Sequence, residues 1–199
     1  MGLLDIILGR TKPVAPDLDR LFALPSASVT LEAAVSLTPT GTGAVCFASV
    51  EGGAFDDVRR EVRALLDADA GRTGPPVEIE RDEYGYSWLL SRRRPEELPA
   101  LVSDLHAVNS ALESDGFGPQ LLCSVVGFRG DEDGDGVGGR LGLVYLYKRG
   151  TFYPFTPLPG AGQRRDHALE LRVRAVLGDD LRIEPELSRW FPIWGAPGL

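Results

Sequence analysis

The chain has 199 residues, of which 43% are hydrophobic and 25% charged, and its formal net charge is −8. These fractions are typical of globular proteins and argue against collagen-like, disordered and membrane-spanning classes. The acidic balance argues against general DNA or RNA binding, because affinity for nucleic acids comes largely from cations that neutralise phosphates.

The N-terminal residues form a short apolar segment ahead of a proline-bearing linker. Leu3, Leu4, Ile7 and Leu8 are predicted to lie on one stripe of a helix that ends at Gly9. We therefore divide the chain into an N-terminal helix and linker over residues 1–16 and one α+β domain over residues 17–199. The stripe is a candidate interaction surface that can pack on the domain, dock on a protein partner or contact a membrane. Membrane binding alone is expected to be weak, because the helix is short and its polar face carries no Lys or Arg.

The N-terminal half of the domain is predicted to begin with a helix over 17–24 that Pro25 closes. Strict alternation from Val29 to Leu37 predicts a half-buried strand, and the Gly-containing stretch over 38–43 predicts a turn into a partner strand over 44–49. Hydrophobic periodicity then predicts a helix over 55–66 and a hairpin over 77–90. A further helix is predicted to carry a stripe from Leu98 to Leu112 and to end at Gly116. The run Arg92–Arg94 is expected to be solvated, as charge runs usually are.

The second half is predicted to contain three strands and a final helix. The strands cover 120–128, 141–148 and 151–155, the helix covers 164–177, and a short strand follows at 181–183. Strand pairs joined by short turns imply antiparallel pairing. The predicted fold class is therefore α+β, with antiparallel sheets built from hairpins and helices packed on one side.

An acidic loop between two predicted strands is the candidate metal site. Asp131, Asp133 and Asp135, followed by Gly136, match the opening of an EF-hand calcium loop. However, position 12 of that loop is Gly142 instead of a bidentate Glu, and the flanking segments are predicted strands. A solvated hairpin loop is the favoured interpretation, and a weak calcium site is the alternative.

Catalytic signals are sparse in this sequence. Cys46 and Cys123 are expected to be buried thiols, and His106 and His167 to be surface or boundary residues without metal-ligand spacing. Nucleophile elbows, Walker A motifs and dinucleotide fingerprints are absent from the sequence. We therefore expect no catalytic residues, no cofactor and no enzymatic activity.

Aromatic residues suggest two further surfaces. Trp190, Phe191 and Trp194 near the C-terminus are candidate interaction residues, with packing into the core as the alternative. In the predicted hairpin, a face formed by Tyr84, Tyr86 and Trp88 could line a pocket. An enzyme or a small-ligand binder that uses this pocket or the acidic loop is the main alternative to a protein-binding role.

Four ordered segments carry a resemblance that extends over the whole chain. The segments MGLLDIILGRTKPVAPDLDRLFALPSASVTLEAA, TGTGAVCF, EYGYSWLL and YPFTPLPG…RWFPIWG resemble the PspA-associated protein PspAB family of actinobacteria and some archaea. The resemblance implies a phage-shock, or envelope-stress, context beside PspA and a membrane metalloprotease, and it supplies no catalytic residues. By a weaker analogy, the strand pairs between helices are similar to secretion-chaperone-like folds, which bind protein partners.

These observations predict an accessory or adaptor protein of the envelope-stress response that acts through protein–protein contacts with partners of the PspA neighbourhood. A cytoplasmic location is expected, because no window approaches 18 apolar residues and the N-terminus lacks a secretory signal. Peripheral membrane association through the N-terminal helix is the second alternative.

Overall fold

A computed structural model describes residues 16–48, 52–67, 74–130, 139–160 and 162–199. A 3₁₀ turn, Leu18–Ala23, precedes the first helix. The four helices of the described ranges are α1 (Leu24–Val35), α2 (Gly53–Asp67), α3 (Leu98–Leu112) and α4 (His167–Val176). The strands are β1 (Leu37–Ala48), β2 (Glu78–Arg81), β3 (Tyr86–Arg92), β4 (Leu121–Gly130), β5 (Arg140–Leu146) and β6 (Thr151–Phe155).

The six strands form one open sheet in the order β2-β3-β1-β4-β5-β6. Every neighbouring pair is antiparallel, and β1 pairs with both β3 and β4 at the centre of the sheet. The four helices share a main hydrophobic cluster with one face of this sheet. The predicted α+β class is therefore confirmed. No helix in the described ranges has the length and apolar character needed to cross a membrane.

The predicted strand over 29–37 is wrong, because this stretch lies mostly in helix α1. Leu24, Ala27, Leu31 and Val35 are buried at helical spacing, whereas Val29 is 67% exposed. The alternating residues fit a strand locally, but the buried residues of this segment recur every three or four positions and pack against the sheet. Pro25 does not close the preceding helix, because it lies in the first turn of α1, where a missing N–H costs little.

The predicted turn over 38–43 is also wrong, since these residues belong to β1. A bulge between Pro39 and Gly43 shifts the pairing of β1 with β4. Gly41 lies inside this irregular stretch at φ +77°, a conformation that favours glycine, and its carbonyl accepts a hydrogen bond from the Arg93 N–H at 2.8 Å. The turn-forming residues therefore mark a bulge within a strand.

The remaining predicted elements agree closely with the structure. Helix α3 forms where predicted and buries its stripe of Leu98, Leu101, Leu105, Val108 and Leu112. It passes at Glu113 into a π-helical turn, in which Gly116, the predicted helix end, has φ +85°. The hairpin of β2 and β3 and the three strands β4, β5 and β6 also form as predicted. The segment predicted as a strand at 181–183 forms a single parallel bridge, between Ile183 and Phe152.

The expectation that the three arginines of Arg92–Arg94 are solvated is wrong for Arg93. Its side chain is 3% exposed and forms a two-pronged ion pair with Asp104 of α3, at 2.9 Å from Nε and 2.7 Å from Nη2. Ser91 also donates to Asp104, at 2.6 Å. The neighbouring Arg92 and Arg94 are considerably more exposed, so the run divides into one buried and two outer arginines.

The opposite face of the sheet is covered in part by the C-terminal residues. Trp190 and Ala196 are buried there in a second hydrophobic cluster, and Leu199 packs against it. A side chain on Gly142 of β5 would come within about 3.0 Å of Leu199, so glycine at this position allows the chain end to lie close to the strand.

Candidate functional site

A groove of about 890 Å³ lies on the sheet face opposite the helices, and we call it the outer groove. It crosses the strands at one end of the sheet, because the register places the β2–β3 turn, the start of β4 and the β5–β6 turn together. Its lining comes from the hairpin, the central strands, the β5–β6 turn and the C-terminal segment. Its lining residues include Cys46, Asp82, Tyr84, Tyr86, Trp88, Cys123, Lys148, Arg149, Tyr153, Arg189, Phe191 and Trp194.

The floor of the outer groove contains both cysteines of the chain. Cys46 of β1 and Cys123 of β4 are direct cross-strand neighbours, and both are buried free thiols, as expected from the sequence. A hydrogen bond with Cys123, together with burial, raises the pKa of the Cys46 thiol well above its usual range. Burial likewise raises the pKa of the Tyr153 hydroxyl. The Cys46 thiol therefore stays protonated near neutral pH and is a poor nucleophile.

Asp82 organises the aromatic end of the outer groove. Its Oδ1 accepts hydrogen bonds from the backbone N–H of Tyr84 at 3.0 Å and of Tyr86 at 2.9 Å. Its Oδ2 accepts from the indole Nε1 of Trp88 at 2.8 Å. One carboxylate thus fixes the turn and the Trp88 ring, while the Tyr84 and Tyr86 side chains remain 53% and 42% exposed.

The other end of the outer groove is cationic. Buried Glu184 accepts hydrogen bonds from Arg149 and Thr151, both at 2.7 Å, and from Arg189 at 3.3 Å. Burial alone would raise the pKa of Glu184, but the hydrogen bonds from Thr151, Arg149 and a backbone N–H outweigh it, so the pKa lies below the ordinary value. Lys148 donates to the neutral carbonyl of Pro119 at 2.8 Å. The formal charge of Lys148, Arg149, Arg189 and Glu184 together is therefore +2.

The C-terminal segment forms one wall of the outer groove and is held by specific bonds. The Trp190 ring stacks on Tyr153 with centroids 6.2 Å apart, and Tyr153 donates to the Phe191 carbonyl at 2.8 Å. Trp194 packs edge-on against Phe155 at 4.9 Å. Of the three predicted interaction residues, Trp190 is therefore buried, whereas Phe191 is 58% exposed and Trp194 half-buried beside the groove.

The structure brings together two sets of aromatic residues that lie far apart in the sequence. Tyr84, Tyr86 and Trp88 line the predicted pocket, and Phe191 and Trp194 line the same cavity. The cationic end was missed, because Arg149 and Glu184 are 35 positions apart in the sequence and no local pattern links them.

The two histidines lie away from the outer groove. His106 contacts Asp19 at 3.3 Å and the Phe22 ring at 4.8 Å on the helix side, and His167 begins α4. The apolar stripe Leu3, Leu4, Ile7 and Leu8 and the acidic residues Asp131, Asp133 and Asp135 fall outside the described residues. Among the residues that are described, no three His, Cys, Asp or Glu side chains are grouped so that they could hold a metal ion.

Comparison with protein-family models gives a match over residues 1–198 to the family described as PspAB, PspA associated protein B. No curated protein and no solved structure matches the chain.

Proposed function

The chain belongs to the PspA associated protein B family, and we propose that it is a cytoplasmic, non-enzymatic adaptor of the envelope-stress response that binds PspA through the outer groove. The family name supports an association with PspA, which is a protein-partner context. The geometry of the outer groove supports the choice of surface.

The observation that carries this proposal is the row of exposed aromatic side chains on a fixed backbone. Tyr84, Tyr86 and Phe191 are between 42% and 58% exposed along one cavity. Asp82 and Tyr153 anchor their backbones by hydrogen bonds, so little conformational entropy is lost when a partner packs against them. Aromatic anchors within a charged rim are typical of protein-binding surfaces.

The polar groups of the outer groove also favour binding over catalysis. The Cys46 thiol is protonated, and both oxygens of Asp82 already accept hydrogen bonds. The buried carboxylate of Glu184 is bonded to two arginines and a threonine. These groups serve the fold of the groove walls, which supports the proposal that the chain is not an enzyme.

Binding between the full chain and purified PspA, measured by isothermal titration, tests this proposal. Phe191→Ser removes an exposed anchor, and we expect it to weaken binding by about 30-fold, the effect of losing about 2 kcal/mol at an interface hot spot. Leu171→Ser is the matched control, because Leu171 is 48% exposed on α4 at the helix side of the sheet. Equal affinities for the native chain and Phe191→Ser, with a loss for Leu171→Ser, would contradict the groove as the PspA site.

A small-ligand binder is the second candidate function, and the size of the cavity favours it. The volume of about 890 Å³ falls within the range of about 300–1,000 Å³ that is typical of small-molecule sites. Native mass spectrometry tests this candidate on the chain purified from the organism that naturally produces it. A retained mass that Trp88→Ala abolishes would support ligand binding, and an unliganded mass under gentle ionisation would contradict it.

A further inference from the structure

We propose that the outer groove binds a single-chain amphiphile with an anionic headgroup, such as a long-chain carboxylate. The hydrocarbon tail lies along the groove floor, and the headgroup lies at the cationic end. This inference rests on the small-ligand function proposed above and specifies the chemistry of the ligand. It does not require PspA, so the two binding events can be measured separately.

The first support is a row of apolar side chains that crosses four strands of the groove floor. Trp88 of β3 is the cross-strand neighbour of Cys46 in β1. Cys123 of β4 lies opposite both Cys46 and Leu146 of β5, and all four residues line the groove. Three strand spacings give this row a length of about 14 Å. The row is therefore an elongated apolar surface, a shape that suits an extended hydrocarbon tail.

The polar atoms beside this row are bonded to other protein groups. The Trp88 indole donates to Asp82 at 2.8 Å, and the Tyr153 hydroxyl donates to the Phe191 carbonyl at 2.8 Å. The two thiols of the row are hydrogen-bonded to each other. Because these groups need no polar partner from a ligand, a hydrocarbon tail can cover them at little cost.

The second support is the position of the cations relative to the row. Leu146 is the last residue of β5, and the β5–β6 turn that follows carries Lys148 and Arg149. Arg189 of the C-terminal segment lies close to this turn, because it and Arg149 both bind Glu184. The positive charge is therefore concentrated at one end of the row, where it can meet a negatively charged headgroup.

The arginines can bind a headgroup while they keep their bonds to the protein. Arg149 reaches Glu184 through Nε, and Arg189 reaches it through Nη1. A guanidinium has five N–H donors, and these two side chains are 39% and 41% exposed, so both can also donate to a ligand. The formal charge of +2 that remains after Glu184 is counted attracts an anion and repels a cation.

The charge of the whole chain makes a preference for anions informative. The formal net charge is −8, so non-specific attraction favours a cationic surfactant over an anionic one. A preference for the anionic compound must therefore come from the local charge at the cationic end of the groove.

Titration of the full chain with decanoate below its micellar concentration tests the inference. Tryptophan fluorescence is the readout, because Trp88 and Trp194 line the groove and Trp190 stacks on Tyr153. We expect decanoate to bind more tightly than decanol, and decyltrimethylammonium to bind more weakly than either. Octanoate should bind about 15-fold more weakly than decanoate, because each buried methylene contributes a factor of about four.

Lys148→Met tests the role of the cationic end. Lys148 is exposed and donates to the Pro119 carbonyl at 2.8 Å, so its replacement leaves the ion pairs of Glu184 in place. We expect this variant to bind decanoate about tenfold more weakly, the effect of losing a hydrogen bond to a charged group, and to bind decanol unchanged. Arg172→Met is the matched control, because Arg172 is also exposed and donates to a backbone carbonyl, that of Ala34, on the helix side. It should leave both affinities unchanged.

Equal affinities for decanoate, decanol and decyltrimethylammonium would overturn the inference, as would unchanged decanoate binding in Lys148→Met. Binding to phosphatidylglycerol vesicles without binding to monomeric decanoate would assign the cationic end to a membrane surface and would also overturn it. The small-ligand function itself fails if no decyl compound binds, whereas this inference alone fails if decanol binds as tightly as decanoate. The titration with PspA reports on the partner site independently of both.

Discussion

Substitution of Asp104 by asparagine tests how the helix layer is attached to the sheet. In the native chain the Asp104 carboxylate accepts two bonds from Arg93, at 2.9 and 2.7 Å, and one from Ser91 at 2.6 Å. The Arg93 and Asp104 side chains are only 3% and 6% exposed. Asn preserves the volume but removes the negative charge, so the buried Arg93 cation loses its ion pair with the Asp104 carboxylate.

The expected cost of Asp104→Asn is about 3–5 kcal/mol of unfolding free energy, the usual effect of removing one partner of a buried ion pair. For a chain of this length the melting temperature should fall by about 2–4 °C per kcal/mol, which corresponds to roughly 6–20 °C. Urea denaturation, monitored by circular dichroism, measures the free energy of unfolding.

The double variant Arg93→Met/Asp104→Leu separates the lost charge from a lost contact. With both charges removed and the volume approximately retained, it should recover most of the lost stability, because a buried pair is often replaced by apolar residues at little cost. A loss below about 1 kcal/mol for Asp104→Asn, or a double variant as unstable as the single one, would refute this reasoning.

Three further predictions concern the core, the cationic end of the groove and the acidic loop. Leu105 is fully buried, so Leu105→Ala should cost about 2–5 kcal/mol in the same urea assay, and a cost under half a kcal/mol would contradict its place in the core. The pKa of Glu184 lies below its ordinary value of 4.5, so its ionised form stabilises the fold above that pH, and this stabilisation is lost as the pH falls through the folded-state pKa. Acid titration of the unfolding free energy should therefore fall more steeply below about pH 4.5 for the native chain than for Glu184→Gln, and parallel curves would contradict this. Calorimetric titration should detect no calcium binding at sub-millimolar concentration, because the loop that begins at Asp131 lacks a bidentate ligand at position 12, and a micromolar isotherm abolished by Asp133→Ala would show otherwise.

The elements that could be predicted from the sequence are those whose hydrophobic period is unambiguous. Helix α3 has apolar residues at spacings of three and four with proline at its start, so its position and its buried face follow from the sequence. The sequence of helix α1 also fits a strand pattern, because Val29, Leu31 and Val35 fall at alternating positions. The distinction depends on Ala27 and Leu24, which are buried through tertiary packing that a local pattern does not contain.

Only the part of the outer groove that is formed by residues close together in the sequence could be predicted. Tyr84, Tyr86 and Trp88 lie within five positions of one another, and their pattern was sufficient to suggest a pocket. The groove wall that contains Phe191 depends on the hydrogen bond from Tyr153, 38 positions away. On the helix side of the sheet, the burial of Arg93 likewise depends on Asp104, which lies in a different element. Interactions between distant positions are fixed by the topology of the sheet, which single-sequence patterns do not specify.

Hydrogen–deuterium exchange of the full chain, with and without purified PspA, tests the central claim that the outer groove is the partner site. The account predicts that PspA slows the exchange of backbone amides over residues 82–88 and 190–194. The exchange rates of amides in α1 and α4 should not change. Protection confined to α1 and α4, with the groove residues exchanging at their original rates, would contradict the account.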